Sequence, residues 1–234
     1  MRTFIAIELN QETKKALSLL QEELKTAGAD VNWVKPENIH LTLKFLGEVE
    51  EQKIPKINEA LEKICTHTPS FAISLYETGV FPNQKFPRVV WIGIKEGKEN
   101  THELINQIEN SFVSLKFAKE KREASAHITI GRVRSAKNKE ALTAKLALLK
   151  VPPITQMVKT IVIVQLLEAV DECHCERPQG AKQSLKIASS LSLLAMTRLL
   201  PEAELLQTIT LFKSTLSSKG PTYEKLKQLN LTKI

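Results

Sequence analysis

Residues 37–47 are ENIHLTLKFLG, and residues 125–134 repeat the pattern as SAHITIGRVR. In both stretches a histidine precedes a threonine by two positions, and aliphatic residues alternate with them, which is typical of a β-strand. Side chains two positions apart in a strand project from the same face, about 7 Å apart along the chain. Each strand is therefore expected to bury its aliphatic residues and to present one polar pair: His40 with Thr42, and His127 with Thr129.

The two histidines are candidates for acid–base catalysis. One His-x-Thr pair in a strand is usually structural, but two copies in a chain with five histidines favour a shared site. Imidazole groups with a pKa of about 6.5 can divide proton donation and acceptance at neutral pH. The threonine hydroxyls and the guanidinium of Arg132, in HITIGR, can bind phosphate oxygens. No carboxylate cluster with metal-ligand spacing accompanies the pair, so the pattern predicts phosphodiester cleavage without a metal or other cofactor.

Strands and helices mix along the chain. The spacing of apolar residues predicts strands over residues 2–9, 31–35, 39–47, 71–81, 88–95 and 157–164. It predicts helices over residues 10–28, 51–65, 99–117 and 138–149. Adjacent strands that short turns can pair antiparallel favour an α+β fold over a doubly wound parallel sheet. Because both His-Thr strands are followed by a polar connection and a helix, we expect residues 1–234 to form one pseudo-duplicated, two-lobed domain.

Residues 161–208 differ from the rest of the chain. They contain the cluster DECHCERPQG and a run rich in Leu, Ala and Ser, and they carry a net charge of −2, against +9 for the remainder. Joining TQMVKT directly to ITLFKSTL gives one continuous alternating strand. We interpret residues 161–208 as an insertion within a strand of the domain. The alternative is an ordinary helical subdomain.

The composition is that of an ordinary globular protein, with 42% apolar and 25% charged residues. No uncharged apolar run reaches the length of about 18 residues that a membrane span needs. The first residues predict a strand and not a signal peptide, so we expect a cytoplasmic protein. The net charge of +7 is a weak indication of an acidic partner.

The other histidines and the cysteines provide no competing site. His67, His102 and His174 lie in polar or cap-like contexts and are expected at the surface. Cys65 and the two cysteines within residues 173–175 are too few for a disulfide framework. Residues 173–175 also lack the second pair of ligands that zinc sites have.

Five segments together resemble the 2H phosphoesterases, and within them the bacterial and archaeal RNA 2′,3′-cyclic phosphodiesterases once called 2′-5′ RNA ligases. The segments are MRTFIAIEL, VKPENIHLTLKFLGEV, FPNQKFPRVVWIGI, HITIGR and ITLFKSTLSSKGPTYEKL. They fall within residues 1–160 and 209–230, in the family's order. The resemblance implies a two-lobed, pseudo-symmetric α+β fold, with antiparallel sheets flanking a central cleft and one His-x-Thr motif in each lobe.

The resemblance also implies an activity, which is hydrolysis of RNA ending in a 2′,3′-cyclic phosphate to leave a 2′-phosphate. Carried onto this sequence, it makes His40 the proton donor to the leaving 3′ oxygen and His127 the proton acceptor for water. Thr42, Thr129 and Arg132 would bind the phosphate. No metal is implied, and the expected partner of the monomeric enzyme is RNA with such an end, tRNA fragments included. Because the two motifs are nearly identical, the motif alone leaves the order of the two histidines open.

Further residues near the motifs are candidates for RNA contacts. Basic side chains could line a path for the RNA backbone: Lys35, Lys44, Arg88, Arg132 and Arg134. Phe45 or Trp91 could stack a terminal base, although Trp91 lies in an apolar strand and is better explained as core. The chain departs from the family at Ala126, where a proline usually precedes the second histidine.

Two other functions remain open from sequence. One is a reversible 2′-5′ RNA ligase, or a phosphodiesterase for another small cyclic or 2′-5′ linked nucleotide. The other is a non-catalytic RNA-binding protein. Binding alone does not require two histidines, so hydrolysis is the favoured hypothesis.

Overall fold

The structure is a computed structural model, and it describes residues 2–120, 126–167 and 222–232. The helices in this part of the chain are α1 (Gln11–Lys25), α2 (Ile54–Cys65), α3 (Lys98–Val113) and α4 (Lys139–Leu148). The strands are β1 (Arg2–Glu8), β2 (Val31–Trp33), β3 (His40–Glu48), β4 (Phe71–Phe81), β5 (Val89–Ile94), β6 (His127–Val133), β7 (Ile154–Val158), β8 (Thr160–Leu167) and β9 (Thr222–Asn230). These elements confirm the predicted α+β class.

The described strands form one antiparallel sheet in the order β7-β4-β5-β6-β3-β1-β8-β9, and β2 pairs with β6. The sheet has two halves, and the His-Thr strands β3 and β6 are the innermost strand of each half. The halves meet where Leu41 of β3 pairs with Ile128 of β6. We call this meeting of β3 and β6 the seam. The predicted lobes correspond to the two halves, but the seam joins them into one continuous sheet.

The helices pack on the aliphatic face of the sheet. Leu41 and Ile128 are fully buried and belong to one hydrophobic core together with Leu17 of α1, Leu61 of α2 and Ile108 of α3. Burial of a side chain of this size stabilises the fold by about 1.5–3 kcal/mol. Because strand side chains alternate, anchoring the aliphatic residues in this core leaves the His-Thr pairs on the opposite face.

The interpretation of residues 161–208 as an insertion is wrong at its beginning. Residues 161–167 are the body of β8, which pairs with both β1 and β9, and Ile161 and Ile163 are fully buried. The β-branched run from Thr160 to Val164 is a strand signal in its own right. Residues 168–208, including both cysteines of the DECHCERPQG cluster, lie outside the described residues, so an insertion there stays a prediction.

Candidate active site

The seam determines how the two motifs face each other. Leu41 of β3 and Ile128 of β6 are paired and antiparallel, and each lies between the histidine and the threonine of its motif. The two histidines line the same cavity, one from each side of the seam. Imidazole side chains from such positions can reach opposite sides of one small group bound between them.

A cavity of about 540 Å³ opens on this face of the sheet. The predicted site residues all line it: His40, Thr42, His127, Thr129 and Arg132. Small-molecule sites in proteins typically have volumes of about 300–1,000 Å³, so the cavity has room for more than a phosphate group. The structure therefore brings the two distant motifs together in one cleft.

Both His-Thr strands contain a β-bulge three residues after the histidine. The pairing of β3 with β1 skips Leu43, and the pairing of β6 with β5 skips Ile130. An extra residue at a bulge reverses the face to which the following side chains project. The fifth residue after each histidine is therefore exposed on the cavity face: Phe45 in β3 and Arg132 in β6.

The His40 ring is held in a defined orientation. Its Nδ1 lies 2.7 Å from the backbone carbonyl oxygen of Asn38, so Nδ1 carries a proton that it donates there. Phe4 stacks on the ring with centroids 4.7 Å apart, and the edge of Tyr223 packs against it at 5.6 Å. This arrangement leaves Nε2 to exchange a proton at the cavity.

The pKa of His40 is lowered from its ordinary value. Burial is the largest cause, because a buried imidazolium loses its hydration. The hydrogen bond to the Asn38 carbonyl opposes this shift, while the positive charges of Lys14 and Arg132 add to it. In the free protein at neutral pH, His40 is therefore mostly uncharged.

The His127 ring is surrounded by different groups. Phe81 meets it edge to face at 5.0 Å, and Trp91 lies behind at 6.4 Å, itself stacked on Phe81. Trp91 covers Gly79 so closely that a Cβ there would lie 2.2 Å from the indole ring. The Trp91 Nε1 is also buried without a hydrogen-bond partner. Trp91 is thus a half-buried packing residue beside His127 and does not belong to the hydrophobic core in which the apolar strand placed it. Phe45 is the better candidate for stacking a nucleotide base.

The prediction that Lys44 contacts RNA is wrong. Lys44 is 5% exposed, and its ammonium group donates to Glu109 at 2.7 Å and to the carbonyl of Ala118 at 3.0 Å. The bulge at Leu43 is the cause, because regular alternation would place Lys44 beside His40 on the cavity face.

The other candidate residues are distributed around the cavity or away from it. Lys35 lines the cavity, while the exposed Arg88 directly precedes β5 and the exposed Arg134 directly follows β6. His67 is exposed as predicted, whereas His102 is half-buried, and its Nε2 is buried without a hydrogen-bond partner. His174 lies outside the described residues.

Neither a cluster of metal ligands nor a membrane-spanning helix is found in the part of the chain that the structure describes. Residues 2–120, 126–167 and 222–232 contain no group of three His, Cys, Asp or Glu side chains placed to hold a metal ion. None of the helices within these ranges is long and apolar enough to cross a membrane.

Comparison with known proteins identifies the family. The model of the LigT like Phosphoesterase family matches residues 7–91. The RNA 2′,3′-cyclic phosphodiesterase of Methanothermobacter thermautotrophicus is 37% identical over 142 residues, which are 61% of this chain and 76% of that protein. The chain belongs to the LigT-like 2H phosphoesterases. A second LigT-like relative, the RNA 2′,3′-cyclic phosphodiesterase of Thermotoga maritima, is 42% identical over 134 residues, covering 57% of this chain and 71% of the relative.

Solved structures share the LigT-like fold. A protein of Thermus thermophilus superposes with a TM-score of 0.65 at 21% identity, over 99% of this chain and 98% of that one. LigT of E. coli, complexed with 3′-AMP, superposes with a TM-score of 0.63 at 18% identity, with the same coverage of 99% and 98%. The predicted family and fold are therefore confirmed.

Proposed function

We propose that this LigT-like protein hydrolyses RNA 2′,3′-cyclic phosphate ends to 2′-phosphates, using two histidines and no metal ion. The observation that carries the proposal is the cavity at the seam, which is lined by a His-Thr pair from each half of the sheet. Two family relatives that are 37% and 42% identical are named for this reaction.

The proposed reaction assigns one proton transfer to each histidine. His127 accepts a proton from water while the water oxygen forms a bond to phosphorus. The bond from phosphorus to the 3′ oxygen breaks, and His40, reacting in its minor imidazolium form with a proton on both ring nitrogens, donates the Nε2 proton to that oxygen. The products are a 2′-phosphate and a 3′-hydroxyl, and exchange with solvent restores both histidines. The Asn38 carbonyl supports the role of His40, because it fixes Nδ1–H and directs Nε2 to the substrate.

Arg132 and the two threonines are the proposed phosphate-binding residues. Thr42 and Thr129 line the cavity together with both histidines, and their hydroxyls can donate to non-bridging oxygens there. The Arg132 guanidinium can donate two parallel hydrogen bonds to the phosphate. These donors would stabilise the negative charge that gathers on the phosphate oxygens in the transition state.

Phe45 supports a nucleotide as the substrate. Its ring is 67% exposed and forms part of the cavity wall, on the same face as the histidines. An exposed aromatic ring can stack the base of a terminal nucleotide. The adjoining RNA would pass the exposed Arg88 and Arg134. The same proposal includes tRNA fragments as substrates, a monomeric enzyme and action in the cytoplasm.

The test is a turnover assay with an RNA oligonucleotide that ends in a 2′,3′-cyclic phosphate, run with excess chelator. We expect a 2′-phosphate as the product and a loss of about 10²–10⁴-fold in kcat for His40→Ala and for His127→Ala. His67→Ala is the matched control, because His67 is exposed outside the cavity. Absence of turnover by the unmodified protein, or full activity of His40→Ala, would contradict the proposal. Gel analysis of the products also detects 2′-5′ joined RNA.

A further inference from the structure

A second, smaller cavity lies next to His40. It measures about 150 Å³, and His40 lines both this cavity and the large one. Charged residues from separate elements line it: Glu8, Lys14, Glu37 and Lys225. We call this group the rear charge cluster. None of its members belongs to the proposed reaction, so its place beside a histidine of the site needs its own explanation.

Lys14 is the buried member of the rear charge cluster. The residue is 6% exposed, and its ammonium group donates to the carbonyl oxygen of Glu37 at 3.1 Å. The nearest carboxylate oxygen belongs to Glu8, at 3.8 Å. The other oxygen of Glu8 accepts from Lys225 at 2.5 Å, so one carboxylate serves two ammonium groups. Burying an ammonium group is unfavourable unless it is paired, and here the pairing is incomplete.

The hydrogen bond from Lys14 acts on the turn that orients His40. Glu37 lies in the 3-10 turn Pro36–Asn38 that leads into β3. Its carbonyl is bound by Lys14, and the carbonyl of the next residue, Asn38, is bound by His40 Nδ1. The two hydrogen bonds therefore connect α1 to the imidazole ring through two successive peptide groups. A shift of this turn would move the carbonyl that sets the direction of Nε2.

The charge of Lys14 also acts on the ring. Burial is the largest reason for the lowered pKa of His40, and among the charged groups Lys14 and Arg132 lower it further. The charged and titratable residues that line the two cavities with His40 are Arg2, Glu8, Lys14, Lys35, Glu37, His127, Arg132, Tyr223 and Lys225. A positive charge behind an imidazole disfavours the imidazolium and makes its proton easier to release.

We propose that Lys14 is a positioning residue for His40, which holds the turn behind the imidazole and places a positive charge beside it. The role of His40 in this statement rests on the proposed function, but the arrangement itself can be tested without any substrate. A solely structural Lys14 would affect stability and leave the titration of His40 unchanged.

The experiment is an NMR pH titration of His40 in the full-length protein with 13C-labelled histidine, assigned by the signal lost in His40→Gln. Lys14→Met removes the charge at nearly constant volume, and we expect the pKa of His40 to rise. Glu8→Gln removes the compensating carboxylate, and we expect the pKa of His40 to fall. Lys14→Arg should restore the unmodified titration, because arginine keeps both the charge and the donor. Lys15→Met, at an exposed neighbouring position of α1, is the matched control.

Turnover gives the second readout. Lys14→Met should lower kcat by about tenfold with little change in KM, since displacement of a catalytic group costs rate more than binding. The pH limb that belongs to His40 should also move to higher pH. The proposal is overturned if Lys14→Met titrates and reacts like Lys15→Met, or if it loses stability with an unchanged His40 titration. If Lys14→Met does not fold, Glu8→Gln decides, and an unchanged His40 pKa in that variant also overturns the proposal.

Discussion

The two halves of the cavity use the same backbone to present different chemistry. In β3 and in β6 the histidine, the threonine two residues later and the bulge three residues later follow one plan, and so does the burial of the first six residues. The fifth position after the histidine breaks the symmetry, since it is Phe45 in one half and Arg132 in the other. A duplicated strand with a bulge thus supplies one aromatic and one cationic wall to the same cleft.

The surroundings of the two histidines differ as well. His40 has the Asn38 carbonyl at its Nδ1 and a charge cluster behind it, whereas His127 packs against the rings of Phe81 and Trp91. Equivalent positions in a duplicated fold therefore need not have equivalent proton affinity.

The largest expected effect separates the acid from the base. A proton donor is needed only when the leaving oxygen is a poor leaving group, so an aryl phosphodiester with an acidic phenol makes the donor dispensable. His40→Ala should lose about 10²–10⁴-fold in kcat on the cyclic phosphate and little on the aryl substrate. His127→Ala should lose activity on both, as measured by steady-state kinetics. The opposite pattern would exchange the two roles.

Next in size is the effect of removing the cation at the fifth position of β6. Arg132→Gln should lower kcat by about 10²–10³-fold, because a donor to the charged transition state is lost. Arg134→Gln is the matched control, since Arg134 is exposed two residues further along the chain. Equal losses in both variants would show a general electrostatic effect instead of a specific contact.

The fourth position tests the same comparison through stability. It is the buried Lys44 in β3 and Gly131 in β6, where a Cβ would lie 2.8 Å from a methyl group of Val31. Lys44→Met leaves the largely buried Glu109 carboxylate without its cation, so we expect a loss of about 3–5 kcal/mol in the free energy of unfolding, measured by urea denaturation. Lys44→Met combined with Glu109→Gln should recover most of this loss. Lys63→Met, in the exposed pair with Glu59, should change little.

A smaller effect is expected at the fifth position of β3. Phe45→Ala should raise KM for a 2′,3′-cyclic nucleotide by about tenfold, since base–aromatic stacking contributes about 1–3 kcal/mol. Phe45→Tyr should restore the KM of the unmodified protein. The KM for a cyclic phosphate without a base should be the same in Phe45→Ala and in the unmodified protein. Phe86→Ala is a close control, because Phe86 is also 67% exposed but does not line the cavity. An unchanged KM in Phe45→Ala would show that Phe45 does not contribute to substrate binding.

The smallest effect is the contribution of His40 to pH-dependent stability. Its folded-state pKa lies below the ordinary value of 6.5, so between the two values the unfolded chain binds more protons than the folded one. The free energy of unfolding should therefore fall as the pH decreases below about 6.5. His40→Gln should flatten this dependence in denaturation curves recorded at several pH values. His127→Gln should retain the His40 contribution, and a loss of the dependence there would contradict the assignment.

Sequence periodicity was sufficient for part of the site and misleading for the rest. Strict alternation placed His40 with Thr42 and His127 with Thr129 on one face, as the structure has them. The same alternation placed Lys44 on that face, and the bulge at Leu43 reversed it. A bulge depends on the pairing of β3 with β1, which no local pattern in ENIHLTLKFLG reveals.

Long-range packing accounts for the residues that were not identified from sequence. Tyr223 reaches His40 from β9, 183 positions away in the chain, and Phe4 reaches it from β1. Asn38 was missed for another reason, because its backbone carbonyl and not its side chain makes the contact. Every residue has a backbone carbonyl, so the residue type at position 38 does not reveal this contact. Only its position two residues before His40 could have indicated it.

The pairing of Leu41 with Ile128 has a consequence for the evolution of the protein. Both side chains are fully buried on the face opposite the cleft, so the gap between the histidines is set by how the hydrophobic core is packed. The packing of the core keeps the two strands, and with them the two histidines that we propose to act on the phosphate, at one spacing. The cavity walls formed by Phe45 and Arg132 are exposed and do not belong to this buried packing. Selection can therefore change what is bound at the walls while the distance that the chemistry requires stays constant.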